Sequence, residues 1–259
     1  MKEIILTIIL GIIQGLTEFL PVSSSGHLAL FQDIFNIKEN NLFITVALHF
    51  GTLCAVVVYY FKDLLGLFKK ENRKTVWHLL LATLPAGLFM LLLKNTVDGM
   101  FSSTTFLWVG FLITAIVLLI TDFVGKKITA PRPITYKTAL IMGLSQACAI
   151  FPGISRSGST ISGGLTLANG ERKQVADFAF MMSIPVIFGS FIFEAVTVDF
   201  SNVNILATSL GMISAFITGF LAIKFMLKVI KKCNFKWFSL YLFILAGITF
   251  VNAFIYPLF

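Results

Sequence analysis

Two short stretches hold most of the reactive side chains in this sequence. The first runs from Gln14 to His27 and contains an amide (Gln14), a carboxylate (Glu18), three consecutive serine hydroxyls (Ser23, Ser24, Ser25) and an imidazole (His27). The second, Pro152 to Thr160, carries Arg156 between Ser155 and Ser157, with Thr160 closing it. Each stretch also holds a proline and glycines, Pro21 with Gly15 and Gly26 in the first, and Pro152 with Gly153 and Gly158 in the second. Gln14 and Glu18 are one helical turn apart on the same face, so together they can hold a divalent ion. Mg²⁺ typically takes one or two carboxylates and completes its shell with waters and substrate phosphates. Ser24 and His27 are neighbours if a helix starts there, and a hydroxyl beside an imidazole is the minimal nucleophile–base pair. The alternative for the serines is helix capping. Three in a row make at least one cap expected, and the sequence leaves open which serine does what.

These residue types in this order suit a phosphate or diphosphate. A helix that restarts after a break presents free N–H groups and the positive end of its dipole, near Ser24–His27 in one stretch and near Ser157–Thr160 in the other. Arg156 offers a planar fork that meets phosphate oxygens two at a time. Glu18 would repel such a ligand unless it were protonated or bridged by a cation. A metal there would remove the conflict and polarise the phosphoryl group.

Both stretches lie in apolar surroundings. Of 259 residues, 57% are hydrophobic and only 12% charged, against roughly 25% charged in soluble domains. The apolar runs are continuous rather than alternating, which excludes a transmembrane β-barrel and leaves helices. Ionisable groups at membrane depth are costly and mark function. The net charge of +8 does not indicate nucleic acid, because the basic residues cluster between apolar runs, as positive-inside topology and anionic headgroups require. Cys54, Cys148 and Cys233 have no paired spacing and read as packing residues. No small-residue cleavage site precedes the first stretch, so no cleaved signal peptide is expected.

Outside the two stretches, six apolar runs reach spanning length, at 42–61, 76–93, 105–123, 174–197, 204–223 and 237–257, judged against about 20 residues per crossing. The segments 4–35 and 138–170 are interrupted by Pro21 and by Pro152-Gly153, which break helices. If both are re-entrant, sixteen of the twenty basic residues fall in inside loops and only Lys2, Lys38 and Lys94 outside, with Arg156 left in its stretch. If either crossed, this bias would collapse. Both termini are then outside, and each broken segment is followed by three crossings of opposite sense. A shift of 132 residues superposes Gly11, Gln14, Ser23, Ser25 and Gly26 on Gly143, Gln146, Ser155, Ser157 and Gly158. The expected fold is an all-α polytopic membrane protein with about six transmembrane helices and two re-entrant broken-helix elements. It forms one membrane domain over 1–259, built as inverted repeat halves at about 1–125 and 135–259, a design that places polar sites near the midplane.

At these residues the sequence resembles the undecaprenyl-diphosphate phosphatase family, the bacitracin-resistance proteins. Gln14, Glu18, Pro21, Ser23, Ser24, Ser25, Gly26 and His27 follow that family's first motif, and Pro152 to Thr160 follow its second. Phe50-Gly51-Thr52 and Ile161-Ser162-Gly163-Gly164 extend the likeness. The resemblance implies removal of the terminal phosphate from a C55 polyprenyl diphosphate, which regenerates the lipid carrier for cell-wall precursors at the outer face of a bacterial inner membrane. It implies a divalent cation, Mg²⁺ with Ca²⁺ as the alternative. Carried over by position, Glu18 serves metal or water activation, Ser24 and His27 are nucleophile and base, and Arg156 takes the phosphate. Ser23, Ser25, Ser155, Ser157 and Thr160 complete the phosphate cradle, with Gln14 as the second metal ligand. The expected partners are the membrane, the lipid diphosphate and a second copy of the chain as a homodimer, without nucleic acid. Type-2 phosphatidic-acid phosphatases share Ser-Gly-His and Ser-Arg, but the later His and Asp of that class are here Ser162 and Thr166. The rival reading is a carrier of polyprenyl phosphate, since inverted repeats also serve alternating access. Of the remaining polar residues, His49 lies mid-span and either lines the site or packs. His78, Asp122 and Asp177 sit near inner helix ends, where interfacial roles are the default, and Glu194 near an outer end could face a substrate entrance.

Overall fold

A computed structural model describes residues 1–35, 37, 41–101, 104–197 and 203–256. Within them the long regular elements are all α-helices: α1 (Lys2–Phe19), α2 (Ser24–Ile34), α3 (Asn41–Tyr59), α4 (Phe61–Leu67), α5 (Arg73–Phe101) and α6 (Leu107–Gly125), then α7 (Tyr136–Cys148), α8 (Arg156–Ser162), α9 (Arg172–Met181), α10 (Ser183–Thr197), α11 (Ile205–Lys232) and α12 (Lys236–Phe254). Five stretches of helix are long and apolar enough to cross a membrane. A sixth crossing is available in Phe43–Tyr59, which turns by 75° into α4. All six apolar runs of the sequence therefore carry helix, and the protein is an all-α polytopic membrane protein.

The two interruptions fall where proline chemistry puts them. Leu20, just before Pro21, is extended with ψ 146, because the ring that follows disfavours helix there. The chain then turns through Ser23, whose φ of 67 is left-handed, and restarts as α2. In the second half α7 stops at Cys148, the chain turns through Gly153 at φ 83, and α8 begins at Arg156. Proline alone does not break a helix, since Pro85 lies inside α5. Both breaks combine it with turn-forming neighbours.

Hydrogen bonds show that both broken segments leave and return on one side. Arg132 N donates to Asn169 O at 2.8 Å and Glu171 N donates to Arg132 O at 2.9 Å, so the segment between them is a hairpin. Arg172 reaches Gly125 O and Lys231 O, each at 3.0 Å, which places 124–137, 171–173 and 224–236 at the same end of the bundle. At the other end Asn204 bonds Glu3 at 2.8 Å, Thr104 bonds Asp33 at 2.9 Å, and Phe254 packs edge-on against Trp108. The segment from Glu3 to Asp33 is thus a hairpin entering from the opposite end. α1 lies along α11, α7 lies along α5, and α6 pairs with α12.

Small residues permit the close approaches, as is usual between helices in lipid. A Cβ on Gly15 would stand 2.6 Å from Ala215 O and 2.7 Å from Gly219 N, so α1 and α11 touch backbone to backbone. Gly110 of α6 is as tight, because a Cβ there would land on Pro152 O and lie 2.6 Å from Gly153 Cα. The helix-end residues play the interfacial parts expected of them. Asp122 accepts from Phe235 N at 2.7 Å, Lys236 N at 3.2 Å and Lys126 Nζ at 2.5 Å, capping α12. Asp177 accepts from Tyr60 at 2.8 Å, and His78 meets the Tyr136 ring edge-on. The side chain of Glu194 lies outside the described residues. Gly110→Ala should lower the midpoint of thermal unfolding in detergent, with a cost of about 1–3 kcal/mol for overpacking. An unchanged midpoint would contradict this contact.

Candidate active site

The tips of the two hairpins meet inside the bundle. Ser157 Oγ donates to Leu20 O at 2.9 Å, so the second break is tied to the carbonyl exposed by the first. α6 supports both tips. Thr114 Oγ1 accepts from Ser155 N at 3.0 Å and is within 3.3 Å of Gly153 O, and the Phe111 ring lies against Gly26.

Glu18 is at the centre of this junction and is buried. Its Oε1 is paired with Arg156 Nη2 from the opposite hairpin. Its Oε2 accepts from Gln14 Nε2 at 2.8 Å and from Ser24 Oγ at 2.5 Å. His49 of α3 brings Nε2 to 3.5 Å from the same oxygen. His49 Nδ1 lies 2.8 Å from Thr45 O, and a carbonyl can only accept, so Nδ1 carries a proton. Thr52 Oγ1 donates to His49 O at 2.7 Å and stands 3.4 Å from Gln14 Nε2.

Two groups in this cluster lack a partner among the described residues, Arg156 Nη1 and Gln14 Oε1, and both are buried. Buried polar atoms are normally satisfied, so each of these needs an explanation. Nη1 is a cationic donor placed for an anion, and Oε1 is an acceptor placed for a cation. Among the described residues no three His, Cys, Asp or Glu side chains come together. An ion here would be held by the Glu18 carboxylate, Gln14 Oε1 and the His49 imidazole, with other oxygens from waters or ligand. These donors fit a divalent cation that keeps part of its shell for substrate.

The structure corrects one expected pairing. Ser24 and His27 are not partnered: Ser24 turns back across the break to Glu18, while both ring nitrogens of His27 are used elsewhere. Nδ1 is 2.8 Å from Ser23 O and Nε2 is 2.6 Å from Tyr241 Oη of α12. The physical reason is that Ser24 opens α2 facing a buried carboxylate, and a hydrogen bond to a charged acceptor is roughly twice as strong as a neutral one. The nearest proton acceptor for Ser24 is therefore Glu18.

Of the five hydroxyls expected to cradle phosphate, those of Ser23, Ser155, Ser157 and Thr160 bond backbone groups, and that of Ser25 meets the Ser23 hydroxyl. Ser23 Oγ caps α2 by accepting from Gly26 N at 3.3 Å and lies 3.4 Å from Ser25 Oγ. Ser155 Oγ caps α8 by accepting from Gly158 N at 3.1 Å and lies 3.3 Å from Ser157 Oγ. Thr160 Oγ1 donates back to Arg156 O at 2.9 Å, steadying the turn that carries the guanidinium. Sequence reasoning gave no part to Tyr241 or Thr114. Tyr241 stands in a helix whose outer face is apolar, and Thr114 in an apolar run, so neither carried a signal.

Fold and site together define a polytopic membrane protein whose two re-entrant hairpins assemble one buried, anion-suited polar centre. The chain belongs to the family of the bacitracin resistance protein BacA, whose model matches residues 7–248. It is 40% identical over 262 residues to an undecaprenyl-diphosphatase of Caldicellulosiruptor bescii, covering 93% of this chain and 94% of that protein. Similar proteins of the same name occur in Christiangramia forsetii, at 41% identity over 264 residues with 95% and 97% covered, and in Thermosipho africanus, at 41% over 250 residues with 94% and 98% covered.

Removing Glu18 alone leaves a buried guanidinium without a counter-charge. Glu18→Ala should therefore lose roughly 3–5 kcal/mol of stability, whereas Glu18→Ala combined with Arg156→Met should recover most of it. A double-mutant cycle of unfolding in detergent reads the coupling, and additive losses would show the pair to be energetically idle.

Proposed function

We propose that the protein hydrolyses undecaprenyl diphosphate to the monophosphate and inorganic phosphate. The observation that carries this is the Ser24 hydroxyl at 2.5 Å from the Glu18 carboxylate, beside an Arg156 Nη1 that has no partner among the described residues. Family membership and the name shared by the relatives support the same activity. The terminal phosphate would take up Arg156, drawing the guanidinium away from Glu18 and freeing that carboxylate as a base. Ser24 Oγ then attacks the terminal phosphorus as its proton passes to Glu18. The new O–P bond forms as the P–O bond to the polyprenyl monophosphate breaks. Glu18 passes that proton to the departing monophosphate. The restored carboxylate then deprotonates a water that attacks the phosphoserine phosphorus, the bond to Ser24 Oγ breaks, Ser24 takes the proton back from Glu18, and inorganic phosphate leaves. A divalent cation, Mg²⁺ or Ca²⁺, held by Glu18 and Gln14 Oε1 would offset the charge of the diphosphate and polarise the phosphoryl group. His27, with both nitrogens engaged, positions the Ser23–Ser24 turn. The hydroxyls of Ser23 and Ser155, which cap the two half-helices, together with those of Ser25, Ser157 and Thr160, would hold the two tips around the phosphate.

The loop charges support a placement in the bacterial inner membrane with the basic end inside, both termini outside and the first hairpin opening outward. There the reaction would return the lipid carrier to peptidoglycan synthesis, and its supply of monophosphate would counter bacitracin. The opposed hairpins and the 132-residue offset support two inverted halves, about 1–125 and 135–259. The carrier alternative draws on that repeat alone and explains neither Ser24 nor its carboxylate. Purified protein with Mg²⁺ should release inorganic phosphate from the C55 diphosphate, chelation with EDTA should stop it, and Ser24→Ala should lower kcat by about 10³-fold or more. Full turnover in Ser24→Ala would assign the attack to water.

A further inference from the structure

Tyr241 is in the second half of the chain, on α12, with 44% of its side chain exposed, yet its hydroxyl points inward to His27 at 2.6 Å. The two rings are stacked, with centroids 5.7 Å apart and planes at 16°, and Phe111 closes the imidazole edge-on at 5.6 Å. The Ser23 carbonyl can only accept, so His27 Nδ1 at 2.8 Å is the donor,. Nε2 of a neutral ring is then the acceptor of the Tyr241 hydroxyl. The carbonyl held in this way belongs to Ser23, which has a φ of 67. That conformation is disfavoured for a residue with a side chain and persists only where its surroundings enforce it. The next residue is Ser24, whose direction toward Glu18 is set by that turn.

We propose that Tyr241 is a positioning residue: it holds His27 in the Nδ1-protonated tautomer and, through the Ser23 carbonyl, aims Ser24 at Glu18. The arrangement is a base-and-orienter chain of the kind that locks catalytic histidines, but here it ends on the backbone of the nucleophile's neighbour. It also ties α2, which carries Ser24, directly to α12. The proposal rests on the reading of Ser24 as the attacking oxygen. Turnover retained in Ser24→Ala rejects that reading alone, while the tie is decided by the measurements that follow.

The first measurement is ¹⁵N NMR of histidine-labelled protein in detergent micelles, with His27→Asn used to assign the signal among the three histidines. Wild-type His27 should show a protonated Nδ1 and an unprotonated, hydrogen-bonded Nε2, and Tyr241→Phe should give a tautomer mixture. The second is steady-state kinetics on the C55 diphosphate. Tyr241→Phe, which removes one hydrogen bond, should lower kcat about tenfold with KM unchanged. His27→Asn keeps a side-chain N–H for the Ser23 carbonyl and should retain about tenfold more activity than His27→Ala, which keeps none. Three results would overturn the proposal: wild-type His27 protonated on Nε2, Tyr241→Phe with kcat unchanged or with KM alone raised, or His27→Asn no better than His27→Ala.

Discussion

The structure depends on one ion pair, Glu18 with Arg156. The partners come from opposite hairpins 138 residues apart, and the carboxylate is buried with the guanidinium mostly so. Either charge alone at that depth costs several kcal/mol in lost hydration. Together, with Gln14 and Ser24 satisfying the second carboxylate oxygen, the cost is largely offset. The two tips are therefore stable only when they meet. The rest of the bundle serves that meeting: α6 holds the second tip through Thr114 and the flat surface at Gly110, and α11 presses α1 into place at Gly15. Ser157 locks the tips by bonding the Leu20 carbonyl at the first break, which also accepts from Val22 N.

The Glu18–Arg156 pair is also the pair a diphosphate would open. In the proposed reaction a phosphate would compete with Glu18 for Arg156, and a cation would compete with Arg156 for Glu18. Exchange of one charge-compensating arrangement for another keeps the buried charge balanced throughout. Arg156 Nη1 and Gln14 Oε1, which have no partner among the described residues, are where such an exchange would begin. Gln14 matters here for its neutrality. A second carboxylate at that position would leave the centre net negative beside one arginine, whereas the amide both donates to Glu18 and keeps an oxygen in reserve.

The breaks, the six apolar runs and the opposed entry of the hairpins were legible in the sequence because each has a local cause. Proline excludes helix at the residue before it, lipid demands apolar runs of fixed length, and lysines sort by side. The partners of the polar side chains were not legible. Ser24 lies three residues from His27 and six from Glu18, and spacing favours the histidine. A rotation about one bond chose the carboxylate, because Arg156, distant in sequence, fixes that carboxylate in reach. Tyr241 could not have been found at all, since a tyrosine facing lipid at one edge and an imidazole at the other looks like any aromatic in an apolar helix. Pro85 shows the opposite limit: a strong local signal that the surrounding helix overrode.

The 132-residue offset pairs some residues that make the same bonds and others that do not. The capping geometry occurs twice: Ser23 with Gly26 and Ser25, then Ser155 with Gly158 and Ser157, in the same bonds at similar lengths. Ser24 and Arg156 occupy the same place in this frame, and both donate to the one carboxylate. Glu18 has no acidic counterpart, because Ile150 stands there. Gln146, which the offset pairs with Gln14, is buried with neither amide atom partnered among the described residues, and no carboxylate stands four residues after it. A repeated frame with a single carboxylate draws both hairpins to one point rather than forming two equal sites. Ser24 and Arg156 are thereby placed on the two different oxygens of the same carboxylate.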